Sequence, residues 1–293
     1  MNVKKIIQEY GFSNFPIGLG GCKTSEHFFD SCTFNIVVFD EKQTSETISF
    51  DGELVKISHA SISEKNIKKL LQYHKLQIIQ DDSWELRMFL SKIDKQHSSL
   101  FTNFAKNSLI ESLFCCQKTK DSIQNSDVFA SSWQKCASFY LSDAIMSFNQ
   151  HVSNPSHMLE SLRKFEKNLI NEHISVVTQT VGIERSTQTL LERMLKSTIG
   201  FSDKIEKNDH SKIIQQKFDF FVKNSMLSDC YFYLGYVNKE NFINIKNNLN
   251  WEEDLFHILK VAFDVEGDSN QLLQNANLIQ KSCNDVLEII STV

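Results

Sequence analysis

The residue types that could do chemistry sit together between Gly20 and Asp40, in the run GGCKTSEHFFDSCTFNIVVFD. A glycine turn at the end of a short strand lets backbone N–H groups approach phosphate oxygens, because no Cβ stands in the way. Two carboxylates two positions apart on the next strand share one face of it and can hold a divalent cation there. Metal and positioned phosphate together supply most of the catalysis in phosphoryl and nucleotidyl transfer. This chain has the turn, at Gly20-Gly21-Cys22, and a following β-branched and aromatic run from Phe34 to Phe39. At the two positions where acids would be expected it has Thr33 and Asn35.

The segment resembles the nucleotidyltransferase superfamily of the DNA polymerase β type, whose signature is Gly-Ser, a spacer, then Asp-hydrophobic-Asp entering a strand. Gly21-Cys22 stands where Gly-Ser would, and eleven positions beyond Cys22 comes Thr33-Phe34-Asn35, followed by Ile36-Val37-Val38-Phe39. The preceding helix Val3–Tyr10, the strand Ile17–Leu19 and the hairpin Glu46–Ser58 fall where the family has them. The resemblance covers about the first 95 residues. It implies a metal-dependent transferase fold with a third carboxylate on the hairpin's second strand, and an appended helical domain that positions the acceptor.

The side chains depart from that family at each chemical position. The family's Ser is Cys22, its two metal-binding Asp are Thr33 and Asn35, and its third acid falls at Lys56 in Leu54-Val55-Lys56-Ile57. A hydroxyl and an amide bring no charge to offset stripping water from Mg²⁺, and Lys56 adds a positive charge where a second metal belongs. Degenerate positions Thr33, Asn35 and Lys56 therefore lead us to expect a pseudoenzyme with no metal cofactor. The pocket then has two uses. It holds a nucleotide or another anion through Gly20, Gly21, Cys22, Lys23 and Lys56, or it is a rigid platform for protein contacts. An active nucleotidyltransferase, with Mg²⁺ held by Asp30, Asp40 or Glu41 and an RNA, small-molecule or protein acceptor, is the alternative.

Other constellations carry less. No H-E-x-x-H or H-x-x-x-H spacing appears among the nine His, and none of the seven Cys forms a C-x-x-C pair. His59, two residues beyond Ile57, is the histidine positioned to face the pocket. Gly18, Gly20 and Gly21 lack the third glycine of a dinucleotide fingerprint. No Arg is followed by His four to seven places on, so the ribonuclease chemistry of helical partner proteins has no support. Lys65, Lys68 and Lys69 read as the wet face of a helix.

These residues must be positioned by an α+β unit. Asp51-Gly52 between two strand-like runs is a two-residue hairpin signal. Ser63 offers an N-cap to a helix carrying Ile67, Leu70 and Leu71. Leu76–Ile79 reads as a strand and Trp84–Ile93 as a helix. From about residue 97 the apolar period is 3.6: Leu100, Phe104, Leu109, Leu113 and Phe114 make one stripe, and Val128, Trp133, Ala137, Tyr140, Leu141 and Ile145 another. Asn154-Pro155 opens a helix with Met158, Leu159, Leu162, Phe165 and Leu169. Further helices are expected at 184–199, 211–224, 239–247, 251–263 and 269–291, the fourth with Trp251, Leu255, Ile258, Leu259 and Ala262 inward. The expected organisation is a nucleotidyltransferase-like mixed sheet with flanking helices over 1–95 and an all-α domain over 97–293.

Composition agrees with that architecture. Of 293 residues 41% are hydrophobic and 23% charged, enough for packed cores, and nine Gly with two Pro are too few for an all-β chain. The net charge of −5 and four Arg in all argue against a sequence-reading DNA module. The longest uninterrupted aliphatic or aromatic run is four residues, far short of the roughly 18 of a membrane span. Met1–Phe12 lacks a signal-peptide apolar stretch, and scattered cysteines suit a reducing compartment, so a cytoplasmic protein is expected. A partner protein would be met through the helical domain.

Overall fold

The computed structural model describes residues 2–152, 154–205, 210–245, 253–265 and 267–291. It is an α+β protein: a five-stranded mixed sheet in the N-terminal part, followed by helices. The first helix, α1, spans Val3–Glu9; Asn2 caps it by accepting from Lys5 N, and Ile6 and Ile7 point into the core. Strands β1 (Ile17–Gly20), β2 (Phe34–Phe39), β3 (Ser45–Phe50) and β4 (Glu53–Ala60) follow, then α2 (Ile67–Tyr73) and β5 (Gln77–Gln80).

The sheet order is β3-β4-β2-β1-β5, with β2 parallel to β4 and the other neighbours antiparallel. Asp51 and Gly52 turn β3 into β4 with φ of 49° and 80°, as the two-residue hairpin requires. One face of the sheet closes over α1 with Ile17, Leu19, Ile36, Val38, Val55 and Ile57. The other carries Val37 and Phe39, and Phe39 meets Tyr73 and Phe89 edge-on.

Two compact units divide the chain. The first is Met1–Leu100 with Glu206–Phe220, and the second is Phe101–Ile205 with Phe221–Val293. Helix α3 (Glu85–Gln124) runs unbroken through the boundary expected at 95–97, because its buried positions continue from Leu86, Phe89 and Ile93 to Leu100, Phe101, Ala105 and Leu109. The remaining helices are α4 (Ala130–Phe148), α5 (Met158–Lys164), α6 (Ile174–Val181), α7 (Gln188–Ile205), α8 (His210–Lys223), α9 (Leu227–Ile245), α10 (Glu253–Ala262) and α11 (Ser269–Ser291).

Several local expectations are corrected. The cap of α2 is Asn66, whose Oδ1 accepts from Lys69 N at 3.2 Å, while Ser63 N is turned back onto Ser61 Oγ. Helix α5 ends at Lys164, leaving Leu169 64% exposed. Helix α9 begins at Leu227 rather than 239, and Phe114 and Val128 are exposed. Leu259 and Ala262 are buried as expected, whereas Trp251 and the side chain of Leu255 lie outside the described residues.

The second unit buries a polar seam. Lys239 Nζ lies 2.8 Å from Asp143 Oδ2, Tyr236 Oη donates to Asp143 Oδ1 at 2.8 Å, and the ammonium sits 4.0 Å from the centre of the Tyr140 ring. Burial alone would lower the pKa of Lys239, but Asp143 and then Glu240 outweigh it and hold the group charged well above its ordinary value.

Candidate functional site

The glycine turn is built by local geometry. Gly20 is still in the ladder, opposite Asn35. Gly21 adopts φ 92°, and a Cβ there would meet Thr33 O at 2.5 Å and Asn35 N at 2.8 Å, so only glycine fits. Cys22–Thr24 then makes one 3₁₀ turn. The turn's own amides have internal acceptors: Lys23 N donates to Thr33 O (3.5 Å), Thr24 N to Gly21 O (3.2 Å) and Ser25 N to Cys22 O (3.2 Å). A ligand here therefore has to be met mainly by side chains.

Thr33, Asn35 and Lys56 lie close together. In the parallel β2–β4 register Asn35 stands directly opposite Lys56, so the two side chains leave the sheet on the same face. Ser58 Oγ donates to Asn35 Oδ1 at 2.9 Å, fixing the amide. Thr33, two residues before Asn35, is buried at the mouth of β2. Lys23 turns the other way: its Nζ lies 2.6 Å from Glu53 Oε1 and 5.3 Å from the centre of the Phe34 ring.

Helix α8 adds residues that the spacing around the turn did not reveal. Gln216 Nε2 donates to Ser31 O at 3.2 Å, and Phe220 stacks on Phe29, with ring centres 5.0 Å apart. Burial, then Lys56, then Lys217 hold the His210 imidazole down at a pKa of about 4, so it is neutral near pH 7. Lys217 is itself only 8% exposed. The hydrogen bond between Cys32 and Cys22 comes first among the effects that raise the Cys32 thiol pKa, with burial second, and the charge of Lys217 pulls the other way. A signal for Lys217 was present in the sequence. It falls on the same helical stripe as Ile213, Ile214, Phe218 and Phe221, all of them buried.

The acids near the turn in sequence are not near it in space, or are otherwise engaged. Asp40 lies five residues along the chain from Asn35, about 17 Å at strand rise. There it meets His59 Nδ1 at 2.9 Å, which also takes His59 away from the turn. Glu41 accepts from Ser61 Oγ at 2.5 Å, Asp30 is exposed, and Glu53 is paired with Lys23. A surface cavity of about 220 Å³ lined by Glu41, Ile62, Glu85, Met88, Phe89 and Lys92 belongs to that opposite end. Around Asn35 the chemistry on offer is a neutral amide, two hydroxyls, two thiols, a neutral imidazole and two ammonium groups. That set suits an anion and does not suit Mg²⁺.

No helix among the described residues is long and apolar enough to cross a membrane. No protein-family model matches the chain, and no curated protein matches it. Among solved structures it is similar to a nucleotidyltransferase-like protein from Exiguobacterium sibiricum 255-15, at 11% identity and a TM-score of 0.32, over 76% of this chain and 90% of that one. A likeness so distant assigns neither an activity nor a site.

Proposed function

We propose that the first unit is a catalytically silent module of the nucleotidyltransferase type that binds a phosphate-bearing ligand, such as a nucleotide, without a divalent metal. The observation behind it is the pairing of Asn35 with Lys56 across β2 and β4, with the His210 imidazole of α8 feeling the charges of both Lys56 and Lys217. Nucleotidyl transfer needs carboxylates at these positions to hold its metal. An ammonium group offers a point charge to the phosphate in the metal's stead. An active transferase would need acids that are here exposed, paired or at the far end of the strand. The helical unit is the natural seat for a protein partner, and free thiols throughout the described chain suit the cytoplasm.

Thermal-shift titration with ATP and with tripolyphosphate, each in EDTA and in Mg²⁺, tests the reading. Metal-independent stabilisation that is lost in Lys56→Ala is the expected result. Stabilisation only with Mg²⁺, or release of pyrophosphate, would overturn it.

A further inference from the structure

Cys22 and Cys32 face each other at the turn. Neither is in a disulfide; they are 9% and 2% exposed, with their sulfurs within 4.8 Å, and the two side chains share a hydrogen bond. Their neighbours are joined by the backbone bond from Lys23 N to Thr33 O. The chain between them is short, and Ser25 to Phe28 and Asp30 are exposed, so the turn is tethered by its ends and bathed by solvent along its middle. A disulfide needs its sulfurs about 2.05 Å apart and Cα atoms roughly 4.4–6.8 Å apart. Side-chain rotation covers much of the remaining gap, because the backbone is already paired beside both residues.

We propose that Cys22 and Cys32 form a reversible disulfide that latches the glycine turn to the start of β2 and changes the affinity of the anion site beside it. The coupling to affinity rests on the anion-binding reading above; the disulfide does not. Glutathione disulfide is the oxidant. The Cys22 thiolate, the more exposed of the pair, attacks one sulfur of glutathione disulfide and expels a glutathione thiolate, which takes up the proton Cys22 lost. With the Cys22 thiol consumed, the hydrogen bond that did most to keep Cys32 protonated is gone; Cys32 gives up its proton, attacks the Cys22 sulfur of the mixed disulfide and expels the second glutathione, which takes up that proton. Two protein thiols lose two electrons, and one glutathione disulfide becomes two glutathione molecules.

Closing the bond draws the 3₁₀ turn onto Thr33, and Asn35 and Lys56 lie immediately beyond on the same sheet. Among the described residues this is where a sulfur redox step would act on the site itself. The buried Cys283 thiol, by contrast, donates to Ser112 Oγ within the second unit.

Trypsin supplies the test, because Lys23 lies between the two cysteines. The full chain is equilibrated with glutathione disulfide, alkylated in denaturant and digested. Peptides 6–23 and 24–42 are expected as one disulfide-joined species that dithiothreitol separates, and that is absent from Cys22→Ser. Recovery of both cysteines in wild type as alkylated thiols, or of Cys22 as a stable glutathione adduct with Cys32 alkylated, would overturn the latch. ATP affinity in the oxidised and reduced protein is expected to differ at least fivefold, and not in Cys22→Ser. Equal affinity with the joined peptide present would overturn the coupling. Absence of ATP binding in both states would instead count against the anion-binding reading, with the joined peptide still judged by its own assay.

Discussion

Lys23 Nζ lies 2.6 Å from Glu53 Oε1, so the lysine that follows the glycine turn is neutralised by the second strand of the hairpin. It sits over the Phe34 ring on the face away from Lys56. The positive charge at the site therefore comes from Lys56 and Lys217, with Lys23 held in reserve. Glu53→Gln is expected to release it and tighten ATP or tripolyphosphate binding roughly twofold to fivefold, the scale of one partly exposed ion pair. The gain should fade as salt is raised. Isothermal titration at two salt concentrations measures both, and unchanged affinity would exclude Lys23 from reaching the ligand.

The two glycines of the turn differ in what surrounds them. At Gly21 the obstacle is backbone, Thr33 O and Asn35 N, together with a positive φ. At Gly20 it is the end of the Leu76 side chain, at 2.6 Å, which can rotate away. Gly21→Ala is expected to cost about 3 kcal/mol or more and Gly20→Ala about 1 kcal/mol. Urea denaturation followed through the first unit would show that order, and equal costs would mean that the turn relaxes more freely than its contacts imply.

What the sequence disclosed and what it hid follow from the range of the forces involved. The hairpin at Asp51-Gly52 and the β-branched run Phe34–Phe39 are decided locally, by turn dihedrals and strand packing, and both were legible. The closeness of positions 33, 35 and 56 was legible only through the spacing of a resembled family. Lys217 and His210 were hidden because the period of α8 shows that one face is buried without showing which unit buries it. Along α4, an apolar count missed that Ser131, Gln134, Lys135, Ser138, Ser142 and Asp143 are buried. Hydrogen bonds such as those of Gln134 to Ser138 and of Lys135 to Tyr231 offset their desolvation. No hydropathy pattern registers such a network.

His210 gives a pH signature. Its pKa is about 4 in the fold, lowered by burial and by Lys56 and Lys217, against an ordinary value near 6.5 when unfolded. The unfolded chain thus binds the proton first, and stability that His210 contributes at pH 7 is lost as pH falls from about 6.5 to about 4. The loss should be about 2–3 kcal/mol across that window. Comparing wild type with His210→Gln at pH 7, 6, 5 and 4 isolates it: the difference should grow by that amount toward neutral pH. A bound phosphate beside Lys56 offsets the positive charge, so ATP binding is expected to be accompanied by proton uptake near pH 5.

In the second unit the buried pair Lys239–Asp143 predicts an asymmetry. Lys239→Ala leaves Asp143 in a dry interior with the Tyr236 hydroxyl as its remaining bond among the described residues, and is expected to cost about 3–5 kcal/mol. The double change Lys239→Met with Asp143→Leu removes both charges and keeps the volume, and is expected to regain most of that loss. Denaturant melts of the single and double variants form the cycle. A double variant no better than the single would mean that the Tyr140 and Tyr236 rings, and not the carboxylate, are what the ammonium group serves.

Placing acids at positions 33, 35 and 56 tests the metal-free reading directly. In the combined change Thr33→Asp, Asn35→Asp and Lys56→Asp, the Ser58 hydroxyl keeps an acceptor at position 35, since a carboxylate oxygen can replace the amide oxygen it now bonds. The carboxylates at 35 and 56 then stand on paired strands, with backbones about 4.8 Å apart, and repel each other unless a cation lies between them. The triple variant is expected to melt several degrees below wild type in EDTA and to recover in millimolar Mg²⁺, whereas wild type should show no response to Mg²⁺. Stabilisation of wild type by Mg²⁺ would mean that acids from elsewhere already serve the metal, and the silent, metal-free reading would fall. Insensitivity of both proteins would show instead that Lys217 and His210 keep the position hostile to a divalent cation even with carboxylates placed there.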